Sequence, residues 1–91
     1  MLFMTTYKFV GDRTPERTAA LMSVLGERGE AEGTQAHYVR ADSGGGWLIQ
    51  EITDAATAYA DALAYSEWLE IESVPILGMD EAAPKILESL A

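Results

Sequence analysis

The chain has 91 residues, no cysteine and a formal net charge of -9. This length suits a single domain over residues 1–91, and the lack of cysteine excludes disulfides, a thiol nucleophile and thiolate metal ligands. The acidic balance argues against nucleic acid and against an anionic membrane surface as partners, because both attract basic faces.

The first half of the chain begins with a strand and a helix. Aromatic and β-branched residues over 2–10 predict strand one. Thr14, followed by proline and glutamate, is typical of a helix start, and apolar residues then recur at helical spacing. Residues 27–33 are polar and glycine-rich, so we predict a surface loop there.

Residues 35–41 and 47–52 predict strands two and three, joined by a turn that holds three consecutive glycines. Neither a helix start nor a Lys-Ser/Thr pair follows the glycine run. The run therefore does not match a phosphate-binding loop, and a hairpin is the better interpretation.

The register of this hairpin stays open between two alternatives. In one register Ala41 pairs with Gly46, and His37 lies opposite Gln50. In the other, shifted by one residue, His37 lies opposite Glu51. The choice matters because a shift by one residue moves every side chain of a strand to the other face of the sheet.

The second half predicts a helix, a strand and a final helix. The pair Thr53-Asp54 is predicted to cap helix two. The predicted inner stripe of helix two consists of Ala55, Ala58, Tyr59, Ala62, Leu63 and Ser66. Residues 69–77 alternate and predict strand four, in which Pro75 indicates an edge or a bulge. A last helix over 81–90 has Pro84 in or near its first turn.

This order of elements predicts an α+β, ferredoxin-like βαββαβ fold with a four-stranded antiparallel sheet and a C-terminal helix. Its two helices cover only one face of the sheet, and a face in water should alternate with polar residues. Strands 47–52 and 69–77 are instead apolar on both faces. We therefore expect a homodimer in which the same sheet face of a second copy covers the first.

Three stretches carry a resemblance to a known superfamily. They are Met-Leu-Phe-Met-Thr-Thr-Tyr at the start, Gly-Gly-Gly-Trp-Leu-Ile-Gln-Glu in the hairpin, and Ser-Glu-Trp-Leu-Glu-Ile-Glu-Ser-Val-Pro-Ile-Leu near the end. With them the chain resembles the dimeric α/β barrels, and more narrowly a small bacterial family of unknown function. That superfamily includes cofactor-free monooxygenases, muconolactone isomerase-like enzymes, polyketide cyclases and haem-degrading enzymes. The resemblance implies an apolar pocket between sheet and helices in each subunit.

Few residues are candidates for chemistry. His37, the only histidine, and Glu51, at the end of strand three, are the predicted catalytic acid and base. The predicted ligand-binding residues are Tyr7, Arg40, Trp47, Tyr59 and Trp68. We expect no metal site, because one histidine and no cysteine leave only carboxylates as further ligands. We expect no cofactor either.

These observations favour a cytoplasmic homodimer that binds an apolar or aromatic small molecule between sheet and helices. Cofactor-free proton transfer of the isomerase, cyclase or monooxygenase type is the corresponding chemistry, and whether the protein is an enzyme stays open. The alternative is a non-catalytic dimerisation or accessory protein with a packed interior. A pocket of roughly 300 Å³ or more, with His37 or Glu51 pointing into it, favours the first interpretation, and a packed interior favours the second. Neither includes a membrane partner, because no apolar run approaches roughly 20 residues.

Overall fold

The computed structural model describes residues 1–91 and contains four strands and three helices in the predicted order. The strands are β1 (Leu2–Phe9), β2 (Thr34–Val39), β3 (Gly45–Glu51) and β4 (Leu69–Pro75). The helices are α1 (Pro15–Arg28), α2 (Ala55–Tyr65) and α3 (Met79–Ser89). The chain therefore has the predicted α+β, ferredoxin-like arrangement with a C-terminal helix.

The four strands form one antiparallel sheet in the order β2-β3-β1-β4. The central strands are β1 and β3, and β4 lies at an edge. Pro75 pairs with Phe3 at the end of β4. Because proline has no backbone N–H, an edge strand is where it costs the sheet no ladder hydrogen bond. This confirms the edge position that Pro75 indicates.

Side chains and glycine set the ends of the first two helices. The Thr14 hydroxyl accepts a hydrogen bond from the Arg17 amide at 3.2 Å and caps α1. Gly29 follows α1 with a φ of 70°, a left-handed conformation that favours glycine. The Asp54 carboxylate caps α2 by accepting from an amide and a hydroxyl of the first turn. Both predicted N-caps are confirmed.

The two faces of the sheet differ in burial. The face that we call the helix face carries Thr5, Leu48 and Gln50, three of the five buried residues of the chain. The loop after α1 lies on this side, where Glu30 meets His37, and the ion pair between Arg28 and Asp61 joins α2 to the end of α1. The opposite side, the open face, carries the apolar residues Leu2, Met4, Tyr38, Trp47, Ile49 and Val74, and none of them is buried.

The inner side of α2 differs from the predicted stripe. Tyr59 and Leu63 are 67 % and 55 % exposed, so both point outward. Asp61 and Tyr65 are turned inward instead, and Asp61 forms an ion pair with Arg28 at the end of α1. Alanine fills most other positions of α2, so the apolar pattern of the helix does not single out one face. In the observed orientation of α2, Asp61 faces Arg28 and forms this ion pair.

The C-terminal residues 76–91, which we call the C-terminal arm, leave their own apolar side chains uncovered. The large ones in α3 and after it are Met79, Ile86, Leu87 and Leu90, and all are exposed. The longest dimension of the molecule is 56 Å, about twice the roughly 26 Å of an eight-residue strand. Its radius of gyration is 15.9 Å, where a compact chain of this length has about 12 Å.

The structure of the arm differs from the prediction in two details. Its helix begins at Met79, with Gly78 as N-cap, two residues earlier than predicted. Pro84 therefore lies in the second turn, inside the helix, and the carbonyl of Asp80 loses its helical partner. No helix in the structure combines the length and apolar composition needed to cross a membrane.

Candidate functional site

Three side chains from distant parts of the sequence form a hydrogen-bonded row on the helix face. The Tyr7 hydroxyl lies 2.7 Å from Nε2 of His37, and Nδ1 of His37 lies 2.9 Å from a carboxylate oxygen of Glu30. Tyr7 comes from β1, His37 from β2 and Glu30 from the loop after α1. We call this set the Tyr-His-Glu row. Its side chains become more exposed outward, from 25 % at His37 to 53 % at Glu30.

The proton positions in the row follow from what each group can donate. An ionised carboxylate only accepts, so Nδ1 of His37 donates to Glu30, and Nε2 of the neutral ring accepts from Tyr7. Burial raises the pKa of the Tyr7 phenol, and the negative charge of Glu30 raises it further. Tyr7 therefore keeps its proton at neutral pH. The row is a phenol, imidazole and carboxylate in one continuous chain of hydrogen bonds.

Gly46 makes room for the Tyr7 ring. Tyr7 and Gly46 are paired across β1 and β3, and His37 lies one strand further, so the ring passes over β3 to reach it. A Cβ at Gly46 would lie 2.5 Å from the Tyr7 hydroxyl oxygen and 2.5 Å from the carbonyl oxygen of Tyr38. The last glycine of the Gly-Gly-Gly run thus permits the hydrogen bond between Tyr7 and His37.

A cleft of about 400 Å³ opens where the row ends at Glu30. Its walls come from the end of α1, the loop that follows and α2, and they include Arg28, Asp61 and Tyr65. Burial raises the pKa of the Tyr65 phenol, although the neighbouring positive charge of Arg28 lowers it. The cleft therefore combines one aromatic ring with charged groups of both signs, and it is more polar than the predicted apolar pocket.

A second polar group lies at the centre of the helix face. Thr5 and Gln50 are each 7 % exposed, and the Thr5 hydroxyl donates to Oε1 of Gln50 at 2.7 Å. The hydroxyl oxygens of Thr5 and Ser73 are also 2.7 Å apart. Since Thr5 has a single hydroxyl proton, Ser73 must be the donor of this second bond. The helix face is thus lined by polar side chains on all four strands.

The family model described as Domain of unknown function (DUF3303) matches residues 1–90 of the sequence. The chain belongs to the DUF3303 family. No curated protein matches it at a significant level. The family description names no reaction.

The structure brings together two of the predicted site residues, Tyr7 and His37. It also shows that both predicted hairpin registers are wrong, because His37 lies opposite Leu48. The turn takes in Ala41, and the Arg40 amide donates to the carbonyl of Gly45 at 2.8 Å, so β3 begins before the tryptophan. With Gly45 and Gly46 inside β3, the partner of every residue in β2 changes.

Glu51 does not join the row. It follows Gln50 in β3 and so lies on the open face, because successive strand residues point to opposite sides. There its carboxylate pairs with the N-terminal ammonium group of Met1. The predicted pairing of His37 with Glu51 is therefore absent, and His37 has Glu30 as its carboxylate partner instead. A catalytic role for Glu51 stays a prediction.

The other predicted ligand-binding residues are dispersed over the molecule. Trp47 lies on the open face, with its ring 6.3 Å from that of Tyr38. Arg40 is exposed and forms an ion pair with Asp42. Tyr59 points outward from α2, and Trp68 is half-buried just before β4. None of the four lines the cleft beside Glu30.

Sequence reasoning missed Glu30, which it placed in a surface loop. The usable signal was its spacing, seven residues before the only histidine with glycine in between. Gly33 turns the chain with a φ of 79°, which brings the loop back beside β2. The cleft residues Arg28, Asp61 and Tyr65 carried no local signal, since they meet only when α1 and α2 pack. No three acidic or histidine side chains are grouped to hold a metal ion.

Proposed function

We propose that this protein is a homodimer that binds a small aromatic compound and moves a proton on it without a cofactor. The observation that carries the proposal is the Tyr-His-Glu row, with Tyr7, His37 and Glu30 linked at 2.7 Å and 2.9 Å beside a cleft of about 400 Å³. Ligand sites commonly have about 300–1,000 Å³. The proposed catalytic group is Glu30, which lines the cleft, and His37 and Tyr7 are the groups that position it.

The row supports proton transfer in a balanced step. A C–H bond of the ligand breaks, its proton goes to the carboxylate of Glu30, the member of the row that lines the cleft, and the bonding electrons stay on the ligand as an enolate. His37 holds this carboxylate through Nδ1, and Tyr7 fixes the ring through Nε2. The protonated Glu30 then returns the proton to another atom of the ligand, as isomerisation or cyclisation requires.

The walls of the cleft favour an aromatic compound that also carries a polar substituent. Tyr65 offers a ring for stacking, and Arg28 offers donors next to the carboxylates of Glu30 and Asp61. A purely aliphatic ligand would leave these charged groups facing an apolar surface, which costs free energy. The predicted apolar or aromatic ligand is thus narrowed to a polar aromatic one.

A non-catalytic accessory role is the second candidate, and one observation favours it. No buried side-chain nitrogen or oxygen lacks a hydrogen-bond partner. The polar groups of the helix face therefore already satisfy one another, as they would in a purely structural network. The two candidates differ in whether the row acts on a bound compound.

The experiment uses the full chain, a panel of phenols and aryl ketones, and nuclear magnetic resonance. We expect one or more of these compounds to shift the amide resonances of Glu30 and Tyr65. For bound aryl ketones, we expect faster hydrogen–deuterium exchange at the carbon next to the carbonyl. Glu30→Gln should slow this exchange about 100-fold or more, the range typical of acid–base groups, and His37→Gln and Tyr7→Phe should slow it less, because they act through Glu30.

The matched control is Tyr38→Phe, which removes a phenol on the open face and leaves the row intact. It should exchange like the unaltered protein. An equal exchange rate in Glu30→Gln and in the control would reject the proton-transfer role. Unshifted Glu30 and Tyr65 resonances across the panel would reject ligand binding in the cleft and favour the accessory role.

A further inference from the structure

We propose that the C-terminal arm of each chain crosses to a second copy and packs its apolar side against the open face of that copy's sheet. This inference rests on the homodimer proposed above, and it assigns the cover of the open face to the arm of the second copy instead of to the same face of its sheet. It assigns a partner to the two apolar surfaces that the chain itself leaves uncovered, the side of α3 that bears Ile86 and the open face around Ile49.

The area that the chain exposes is larger than a folded monomer needs. Its accessible surface is 6487 Å², whereas a monomer of 9.9 kDa has about 5,200 Å². The excess of about 1,300 Å² exceeds the roughly 800 Å² that each partner buries in a standard interface. Only one hydrophobic residue, Leu48, is buried. A stable dimer would remove the excess and supply the missing core.

The arm has one continuous apolar side. Helical geometry places Met79, Ala83, Ile86, Leu87 and Leu90 within one stripe with Asp80 at its edge, while Glu81, Lys85 and Glu88 lie on the other side. All four large members of the stripe are more than half exposed, from 52 % at Ile86 to 78 % at Leu90. An amphipathic helix with its apolar side in water is unstable by itself and requires a surface to cover it.

The geometry favours the open face of a second copy as that surface. The Ile76 amide donates to the carbonyl of Leu2 at 2.9 Å and holds the start of the arm at the sheet edge. The short connection 76–78 then leads α3 away from its own sheet. Eleven helical residues span about 16 Å, which matches the roughly 14–19 Å width of four strands. Two-fold symmetry lets both arms cross in the same way.

The test follows the arm with a spin label in mixed samples. The chain has no cysteine, so Glu88→Cys on the polar side of α3 provides a single attachment site. Spin-labelled chains without isotope label are mixed with isotope-labelled chains without the spin label, so that broadening reports only contacts between copies. We expect at least a twofold loss of amide signal at Met4, Ile49 and Val74.

The same label on an isotope-labelled chain, diluted into a large excess of unlabelled chain, reports contacts within one copy. Broadening of the open face in this sample alone would overturn the exchange, because it would mean that the arm folds back onto its own sheet. An absence of broadening in both samples would also overturn it.

Two substitutions on the apolar side of α3 test how much the arm contributes to the affinity of the dimer. Ile86→Glu with Leu90→Glu should weaken dimerisation at least tenfold, measured by sedimentation. The control is Glu81→Lys with Glu88→Lys on the polar side, which should leave the dimer intact. A dimer of unchanged affinity in the Ile86 and Leu90 variant would overturn the arm exchange. Exchange of bound aryl ketones is measured separately, so the fate of the Tyr-His-Glu row does not decide this result.

Discussion

Thr5 and Gln50 occupy the centre of the sheet, where aliphatic side chains would normally contact the helices. They are buried to the same degree and hydrogen bonded to each other, and Ser73 completes the set from β4. A buried polar group is tolerated only while its partner is present, because each unmet donor or acceptor keeps its full desolvation cost. Single substitutions at this position should therefore be more harmful than paired ones.

We expect Thr5→Val to lower the free energy of unfolding by about 1–3 kcal/mol, since Oε1 of Gln50 loses its donor. Thr5→Val combined with Gln50→Leu should recover most of the loss. Urea unfolding followed by circular dichroism measures both. Thr6→Val, a neighbouring exposed hydroxyl in β1, is the control and should change stability by less than about 0.5 kcal/mol. A loss in the double variant equal to the sum of the single losses would contradict the pairing.

The raised pKa of Tyr7 predicts that the folded protein loses stability at alkaline pH. A group whose pKa is higher in the folded state than in the unfolded state contributes its full stabilisation below the unfolded pKa, which is about 10 for tyrosine. That contribution is lost as the pH rises through the folded pKa. Burial and the charge of Glu30 both act in this direction, and burial also raises the pKa of Tyr65. The free energy of unfolding should thus fall above about pH 10.

In Tyr7→Phe this alkaline fall should be shallower, because one of the two phenols is gone. Glu30→Gln should move the pKa of Tyr7 downward, because the nearby negative charge is removed. Spectroscopic titration of the phenolate and urea unfolding at a series of pH values test both statements. A Tyr7 titration that is the same with and without Glu30 would mean that the two groups are not neighbours in solution.

At the scale of elements, the hairpin of β2 and β3 positions the candidate site. Its turn ends before Gly45, so Gly46 falls opposite Tyr7 and leaves the path to His37 clear. A residue with a side chain at position 46 would collide with the carbonyl oxygen of Tyr38 as well as with the phenol. The glycine run therefore serves both the hairpin and the hydrogen bond that crosses it.

We expect Gly46→Ala to lower the free energy of unfolding by about 1–3 kcal/mol through overpacking and to separate Tyr7 from His37. Gly44→Ala is the matched control in the same run, because its Cβ would meet only movable ends of the Arg40 and Asp42 side chains. Nitrogen resonances of the single histidine report the tautomer. An Nδ1-protonated ring that still accepts from Tyr7 in Gly46→Ala would disprove the steric argument.

Local sequence signals were sufficient for most elements. Thr14 and Asp54 mark real helix starts, Pro75 marks a real edge, and the order of strands and helices is as predicted. The hairpin register was not readable, because three glycines in succession allow several turns of different length. The orientation of α2 could not be predicted from the sequence either, because Asp61 and Tyr65 face inward toward Arg28, a contact between two helices.

The candidate site was predictable only in part, and for a physical reason. His37 and Tyr7 stand out by residue type, which is visible in any sequence. Glu30 acquires its role only when the loop after α1 returns beside β2, and Gly46 only when the strand register is known. Contacts between distant elements depend on packing, which one sequence does not reveal.

At the scale of the whole molecule, net charge opposes the association of two copies and burial of apolar surface favours it. Each chain carries -9, so two copies repel each other at long range, and apolar contact has to drive their association. None of the large apolar residues of the open face is buried in one chain, and those of α3 are more than half exposed, which supplies that contact. Added salt should therefore strengthen the dimer, because it screens the repulsion and leaves apolar burial in place.

The homodimer, the crossing of the arm and the stability of the ligand site all depend on one claim, that a single chain is an incomplete unit. Sedimentation velocity over a range of micromolar concentrations measures this claim most directly. We predict a mass of twice the 9.9 kDa of one chain, with dissociation only on dilution. A species of 9.9 kDa at every concentration, with the cooperative unfolding of a stable domain, would contradict the claim.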